Sequence, residues 1–436
     1  MTEPSSDHPH RPGFRQVHLD FHTAPEIPGI GAAFDADHWQ SCLREAAVDS
    51  ITLFAKCHHG VSYHPTEVGR MHPGLDFDLL GAQYEATKAI GVKAPIYLSA
   101  GLDDVAGTEH ADWLELDAEG KPYNGRTPLR PQFKKMDFLS PYLDYLCEQI
   151  REVVERFPDC DGIFLDIIMP NVSYGHWGLR YMREQGIDAN DPEQARATVA
   201  VAYERYFEKT TAAARSVRPD MPVFHNAGHI ARGNRDVLRH YSHLELESLP
   251  TGGWGYDHFP LSAKYVSQLG MDYVGMTGKF HTTWGEFGGY KHPNALRYEC
   301  AAMLAYGARC SVGDQLHPSG RLDEATYGLI GTAYREVAAK ERVCAGAEQV
   351  FDIAVLSSEA EHGAFWDSAS DEGATRLLLE GHLLFAVIDR EMDFARYRIL
   401  VLPDDIRIDP ELKAKLDAFL ESGGYLVLSG ESGLWR

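Results

Sequence analysis

At 436 residues the chain is too long for one ordinary domain and suggests a large barrel plus a further unit. Its 64 acidic against 41 basic residues leave a formal net charge of -23, which repels phosphate backbones and argues against nucleic acid as a partner. No apolar run reaches membrane-spanning length, and the polar N-terminus lacks the basic start and apolar core of a signal peptide. The seven scattered cysteines form no CxxC pair, which argues against a disulfide framework or a zinc ribbon and fits a reducing, cytoplasmic setting.

Residues 1–13, polar with His and Pro, read as a disordered lead. Short β-rich runs then alternate with amphipathic helices. The first strand is predicted at 16–21 (QVHLDF), a helix at 38–47, the second strand at 50–55 (SITLFA), and a helix at 79–90 closed by Gly91. Strand three spans 93–99 (KAPIYLS). The Asp-, Gly- and Pro-rich stretch 101–135 has the length of a functional lid or a disordered loop. A helix over 141–157 leads to strand four within 161–168 (DGIFLDII), whose centre is apolar on both faces, as a strand inside a parallel sheet must be. Helices at 195–217, 260–269 and 295–306 separate strands five to eight at 221–225, 243–247 (HLELE), 273–277 and 308–312. Eight strands with intervening helices over 14–345 is the α/β size class of the (β/α)₈ TIM barrel.

After a helix at 324–345 the pattern changes. Buried strands at 350–356, 398–403 and 423–429, with helices at 376–385 and 410–422, form a doubly wound, flavodoxin-like pattern over 346–436. It stops just after a strand, with too few elements to close a stable sheet. The natural chain is therefore expected to continue, and this second domain to be truncated.

In such a barrel, active residues collect where strands run out into loops on one face. Asp166 is a lone carboxylate near the end of the buried fourth strand, and an unpaired charge there costs several kcal/mol if the site is dry. His18, Asp20 and His22 follow strand one; Lys56, His58, His59, Tyr63 and His64 follow strand two; Ser99 and Asp103 follow strand three. Asn226 ends strand five, and Trp284 and Glu286 follow strand seven. Retaining glycoside hydrolysis needs two carboxyls roughly 5–5.5 Å apart, a nucleophile and a proton donor. Asp166 supplies the first. Glu245 and Glu247, two apart, point to the same side of strand six, so either can be the second, with Glu286 a third candidate. Trp254, Tyr256 and Trp284 offer faces on which a sugar can stack.

These residues resemble a family. The segment FAKCHHGVSYHPT at 54–66 is similar to the A-K-H-H-D-G-F-x-x-W-P-S segment of family 29 α-L-fucosidases. Strand four resembles their nucleophile segment, and ELESLPTGGWGY at 245–256 resembles their W-E segment followed by S-W-G-Y. The barrel followed by a flavodoxin-like domain looks closer still to family 151 α-L-fucosidases, the second domain being of the kind found in family 42 galactosidases. The resemblance implies an exo-acting, retaining α-L-fucosidase with Asp166 as nucleophile. Spacing to Trp254 makes Glu245 the better match to the family acid/base, with Glu247 one step out of register. His58 matches a histidine that binds sugar hydroxyls. Cys57, His59 and His64 stand where the family has histidine, aspartate and tryptophan.

Two rival readings are kept. His18 and His22 near the end of a first barrel strand are the right ligand types for a divalent metal, as in amidohydrolases, although strand six ends in carboxylates rather than a histidine. A non-catalytic sugar-binding barrel is the other. The expectation is a mechanism without metal or cofactor, a small carbohydrate as partner, no membrane contact, and a homo-oligomer formed through the second domain.

Overall fold

The structure, a computed structural model, describes residues 12–123, 132–363 and 368–434. The expected lead therefore lies outside the described residues up to 11, as do 124–131 of the long loop. Among the described residues no helix is long and apolar enough to cross a membrane.

With two short strands, Val61–Ser62 and Arg70–Met71, lying off their path, eight parallel strands make the wall of the first sheet: β1 (Arg15–Asp20), β2 (Ser50–Lys56), β3 (Ile96–Ser99), β4 (Ile163–Asp166), β5 (Val223–Asn226), β6 (Leu244–Glu247), β7 (Tyr273–Gly278) and β8 (Arg309–Gln315). Their order, β5-β4-β3-β2-β1-β8-β7-β6, is that of a (β/α)₈ barrel, nearly closed. Between β5 and β6 the wall is joined by Ser242 N–H donating to Val223 O at 2.9 Å. The strands are buried on both faces because helices cover the outside and side-chain layers fill the inside. Helix Tyr142–Arg156 presents Leu143, Leu146, Ile150, Val153 and Val154 to the sheet, and Pro192–Val217 starts where Asp191 caps two amides and Pro192 fits the first turn.

The register aligns the site. Tyr97 lies beside Phe164, and Phe164 beside Phe224; one layer up, Ser99 lies beside Asp166 and Asp166 beside Asn226. A register shift between Phe54 and Lys56 on β2 turns Lys56 out of the barrel toward helix Tyr142–Arg156.

The second sheet is also parallel: β9 (Ile353–Leu356), β10 (Phe385–Ile388), β11 (Ile399–Leu402) and β12 (Tyr425–Leu428), in the order β10-β9-β11-β12. The helix expected at 376–385 is instead Ala369–Glu380, and β10 follows it. The leucine run 377–379 continues into apolar Phe385–Ile388, so hydrophobicity alone does not mark the boundary. The break is Gly381 and His382, the latter with φ 53. A polar helix, His176–Gln185, buries only Gly178 and Met182 and so carries little apolar periodicity to predict it. The loop after β3 contains helix Asp104–Glu109 and a 3₁₀ turn at Ala111–Trp113.

Candidate active site

Asp166 ends β4 at the mouth of the barrel, 8% exposed. Tyr97 donates to its Oδ2 at 2.6 Å and Asn226 Nδ2 to its Oδ1 at 2.8 Å. Burial nevertheless raises its pKa, outweighing these two bonds and the field of His18 and His22. The strand ends abruptly here. Ile167 has φ 59, a left-handed conformation that a β-branched residue adopts only under constraint. The constraint is visible: the Ala100 and Gly101 amides both donate to Asp166 O, at 2.8 and 3.2 Å.

Glu247 ends β6 and accepts from the same Asn226 Nδ2 at 3.3 Å. One nitrogen thus bridges both carboxylates, which holds the two accepting oxygens within about 6 Å of each other. That fits the roughly 5–5.5 Å of retaining glycosidases better than the roughly 6.5–9.5 Å of inverting ones. Burial first, and then the Asp166 charge, push the Glu247 carboxyl up to about 7, against the Asn226 bond and the field of His18. Both carboxyls are thus pushed up, and the Glu247 value of about 7 suits it to hold a proton near neutrality.

Glu245, the better match by motif spacing, sits one layer lower. It accepts from Gln16 Nε2 at 3.0 and 3.2 Å and lies 3.1 Å from His243 Nε2, at the floor of the barrel. Residues two apart on a strand face the same way but are displaced along it by about 6.6 Å. Only the upper one reaches Asp166.

The histidines line the same mouth. Asp20 Oδ1 lies 3.4 Å from His18 Nε2 and 3.8 Å from His22 Nε2, while Trp284 Nε1 donates to Asp20 Oδ2 at 2.7 Å. Although burial opposes it, the Asp20 carboxyl is held well below its ordinary value by its bonds to these two imidazoles. His58 stacks on His22 with ring centroids 4.0 Å apart. Ser99 spends its hydroxyl proton on Leu102 O at 2.7 Å, so it must accept from His58 Nδ1, also at 2.7 Å. The tautomer of His58 follows. Nε2 carries the lone pair and faces Asp166 Oδ2 at 3.7 Å, and burial followed by the nearby His22 holds the pKa of the ring well below its usual value. A hydroxyl entering here finds an acceptor. His59 lies further out, its Nδ1 3.2 Å from Asp104 Oδ2 and its ring against Phe133.

Other expected contacts are placed elsewhere. Lys56 is spent on Asp103 at 2.9 Å and Tyr142 at 3.1 Å outside the barrel. Tyr63 donates to Phe21 O at 2.7 Å, and His64 bonds Pro65 O at 2.9 Å against Phe157. Tyr256 turns outward to Glu299 at 3.2 Å, and Trp254 packs its ring on His258. Glu286 accepts from the Thr282 amide and hydroxyl and from the His281 amide, bonds that hold its carboxyl below the usual range; it caps an exposed turn. His18 and His22 both address Asp20, and among the described residues no three His, Cys, Asp or Glu side chains gather as a metal site.

Two site residues escaped the sequence reading. Tyr97 is two residues before Ser99 and so on its face of β3, a signal hidden by the apolar run around it. Phe133, from the long loop, has its ring centroid 5.1 Å from His58 and 6.2 Å from His22.

Residues 35–167, from the first helix to the end of β4, match a family described as hypothetical glycosyl hydrolase 6. Across 97% of its length the chain is similar to α-L-fucosidase isoenzyme 2 from Paenibacillus thiaminolyticus, with 50% identity and a TM-score of 0.93. β-Galactosidase GalA from Bacillus licheniformis is 25% identical over 176 residues, 35% of this chain. The GH42 β-galactosidase Gan42B from G. stearothermophilus shares the fold, with a TM-score of 0.70 at 13% identity over 96% of this chain and 72% of its own. The chain spans 64% of the fucosidase and 26% of GalA, less than two thirds of either. In sequence and in fold it is similar to glycoside hydrolase barrels, and over nearly its whole length to that of an α-L-fucosidase.

Proposed function

We propose that this barrel hydrolyses terminal α-L-fucosides with retention of configuration. The observation that carries the reading is the single Asn226 amide nitrogen bonded to both Asp166 and Glu247, which keeps one oxygen of each carboxyl within about 6 Å of the other and so supports the retaining type. Asp166 attacks the anomeric carbon and displaces the aglycone, forming a glycosyl ester. Glu247, protonated near neutrality, gives its proton to the leaving oxygen, then takes one from the water that cleaves the ester. Tyr97 steadies the Asp166 oxygen as its charge changes, and the Nε2 lone pair of His58 accepts from a sugar hydroxyl. The choice of fucose rests on the 50% identity to an α-L-fucosidase.

The test is hydrolysis of 4-nitrophenyl α-L-fucoside by the full chain, followed by proton NMR. The α-anomer of fucose is expected as the first product. An Asp166→Gly variant is expected to lose about 10⁴-fold or more in kcat, with azide restoring turnover as the fucosyl azide. First appearance of the β-anomer would overturn retention, and turnover of another glycoside alone would overturn the substrate.

A further inference from the structure

The loop that leaves β5 passes from the site straight into the seam with the second sheet. Asn226 Oδ1 accepts from Gly228 N–H at 3.1 Å, so the NH₂ edge of the amide is the one turned toward Asp166 and Glu247. Gly228 has φ 71, and the next residue, His229, bonds Glu359 Oε1 through Nε2 at 2.8 Å. The Arg232 amide donates to that same oxygen at 3.1 Å. The Arg232 guanidinium reaches Glu359 Oε2 at 2.5 Å, Ser357 Oγ at 3.1 Å and Asp371 Oδ2 at 3.5 Å. The Arg232, Glu359 and Asp371 side chains are fully buried. Glu359 and Ser357 follow β9 of the second sheet, and Asp371 lies in helix Ala369–Glu380. On its other side the loop borders a cavity of about 60 Å³ lined by Ile168, Ala227 and Ile230. A fully buried, charge-assisted bond to the second domain holds the loop on the seam side.

We infer that Glu359, in the second domain, is a positioning residue for the barrel's site: by holding His229 and the Arg232 amide it sets Gly228, and through Gly228 the pose of the Asn226 amide that bridges the two carboxylates. The inference rests on the proposed roles of Asp166 and Glu247 and adds the reason the second domain matters to them. If the loop drifts, Asn226 turns, and Glu247 loses the bond that opposes the Asp166 charge. His18 and Asp20 are the other charged groups acting on it.

The test compares His229→Phe, Glu359→Ala and Glu359→Gln in the full chain. Arg376→Ala is the control, since it breaks the exposed Arg376–Asp257 pair between the same two units without touching the loop. Hydrogen exchange of residues 227–235 is expected to quicken about tenfold or more in His229→Phe and Glu359→Ala. In the same variants kcat is expected to fall about tenfold or more with KM nearly unchanged, and the alkaline limb of kcat/KM to move upward. Glu359→Gln, which keeps an acceptor oxygen, should lie closer to the parent than Glu359→Ala, and Arg376→Ala should match the parent. Unchanged exchange overturns the inference. So does quickened exchange with an unmoved pH profile, which marks a merely structural tie. If Glu359→Ala does not fold, His229→Phe decides. Should the parent turn over no glycoside, the proposed function fails by itself. The inference is then read from carboxyl-carbon NMR of Glu247, assigned through Glu247→Gln: an unmoved titration in His229→Phe overturns it.

Discussion

At the floor of the barrel Glu245 is bonded by the Gln16 amide and lies 3.1 Å from His243; one layer higher on the same strand, Glu247 shares one amide nitrogen with the carboxylate it faces. Both glutamates are within the barrel, both come from β6, and they differ in surroundings alone. The floor supplies partners for a charge, so the carboxylate there is a structural anchor. The mouth puts a second carboxylate opposite, and among the described residues no lysine or arginine pairs with either. Burial and like charge then keep a proton on Glu247 up to about pH 7. Burial by itself does not mark a functional acid. A buried acid whose nearest charged neighbour has the same sign does.

The sharpest way to break this comparison is to neutralise each glutamate. Glu247→Gln is expected to lower kcat/KM by about 10²–10⁴-fold, the range for a lost general acid/base. Glu245→Gln is expected to leave kcat within about threefold of the parent while costing about 1–3 kcal/mol of stability, as an altered buried hydrogen bond does. Steady-state kinetics beside urea unfolding separates the two. Equal losses of activity would erase the distinction between mouth and floor.

A smaller effect is expected from the backbone that aims Asp166. A Cβ on Gly101 would meet Ile167 O at 1.8 Å, so Gly101→Ala cannot be accepted without moving the Ile167 peptide or its own loop. The variant is expected to lose about 10–100-fold in kcat and about 1–3 kcal/mol in stability, through displacement of Asp166 rather than loss of any reacting group. A Gly101→Ala variant with parent kinetics would show that the left-handed Ile167 plays no part in aiming Asp166.

The pH profile sharpens the same contrast. In the proposed mechanism kcat/KM requires Glu247 protonated, so activity should fall as pH rises through about 7, and the limb should vanish in Glu247→Gln and persist in Glu245→Gln. The same mechanism requires Asp166 ionised, and its raised pKa places the expected acid limb above the ordinary aspartate value of 3.8.

The strand pattern made most of the barrel readable before the structure, because buried parallel strands are short, apolar and evenly spaced between helices. Asp166 stood out for the same reason, as a charge in an apolar run. The depth of a residue within the barrel is another matter. A period of two tells which way Glu245 and Glu247 point and nothing of the layer each occupies, which depends on how β6 is staggered against β1. Histidines near strand ends were equally ambiguous. His58 reaches Asp166, whereas His64 is drawn to its own neighbour's carbonyl and Lys56 is turned outward by a bulge on β2. The seam around Arg232 and Glu359 had no local signal at all, since its partners are 127 residues apart in sequence.

The smallest expected effect on activity concerns another buried acid with a raised pKa, outside the chemistry. Glu115 accepts from the Asn171 amide at 2.8 Å and from its side chain at 2.9 Å, with Lys135 Nζ at 3.3 Å, and so ties the loop after β3 to the loop after β4. Burial outweighs these partners and lifts its pKa from 4.5 to about 7. The folded state therefore holds this proton more tightly than the unfolded chain. Its contribution favours folding below about pH 4.5, is lost as pH rises from there to about 7, and is level beyond; the span corresponds to about 2–4 kcal/mol. Glu115→Gln should flatten that slope in urea unfolding measured from pH 4 to 8, while leaving the alkaline limb of kcat/KM where the parent has it. Both acids titrate near pH 7, so this variant tells them apart. A limb that moves with Glu115 instead would take the proton donor away from β6.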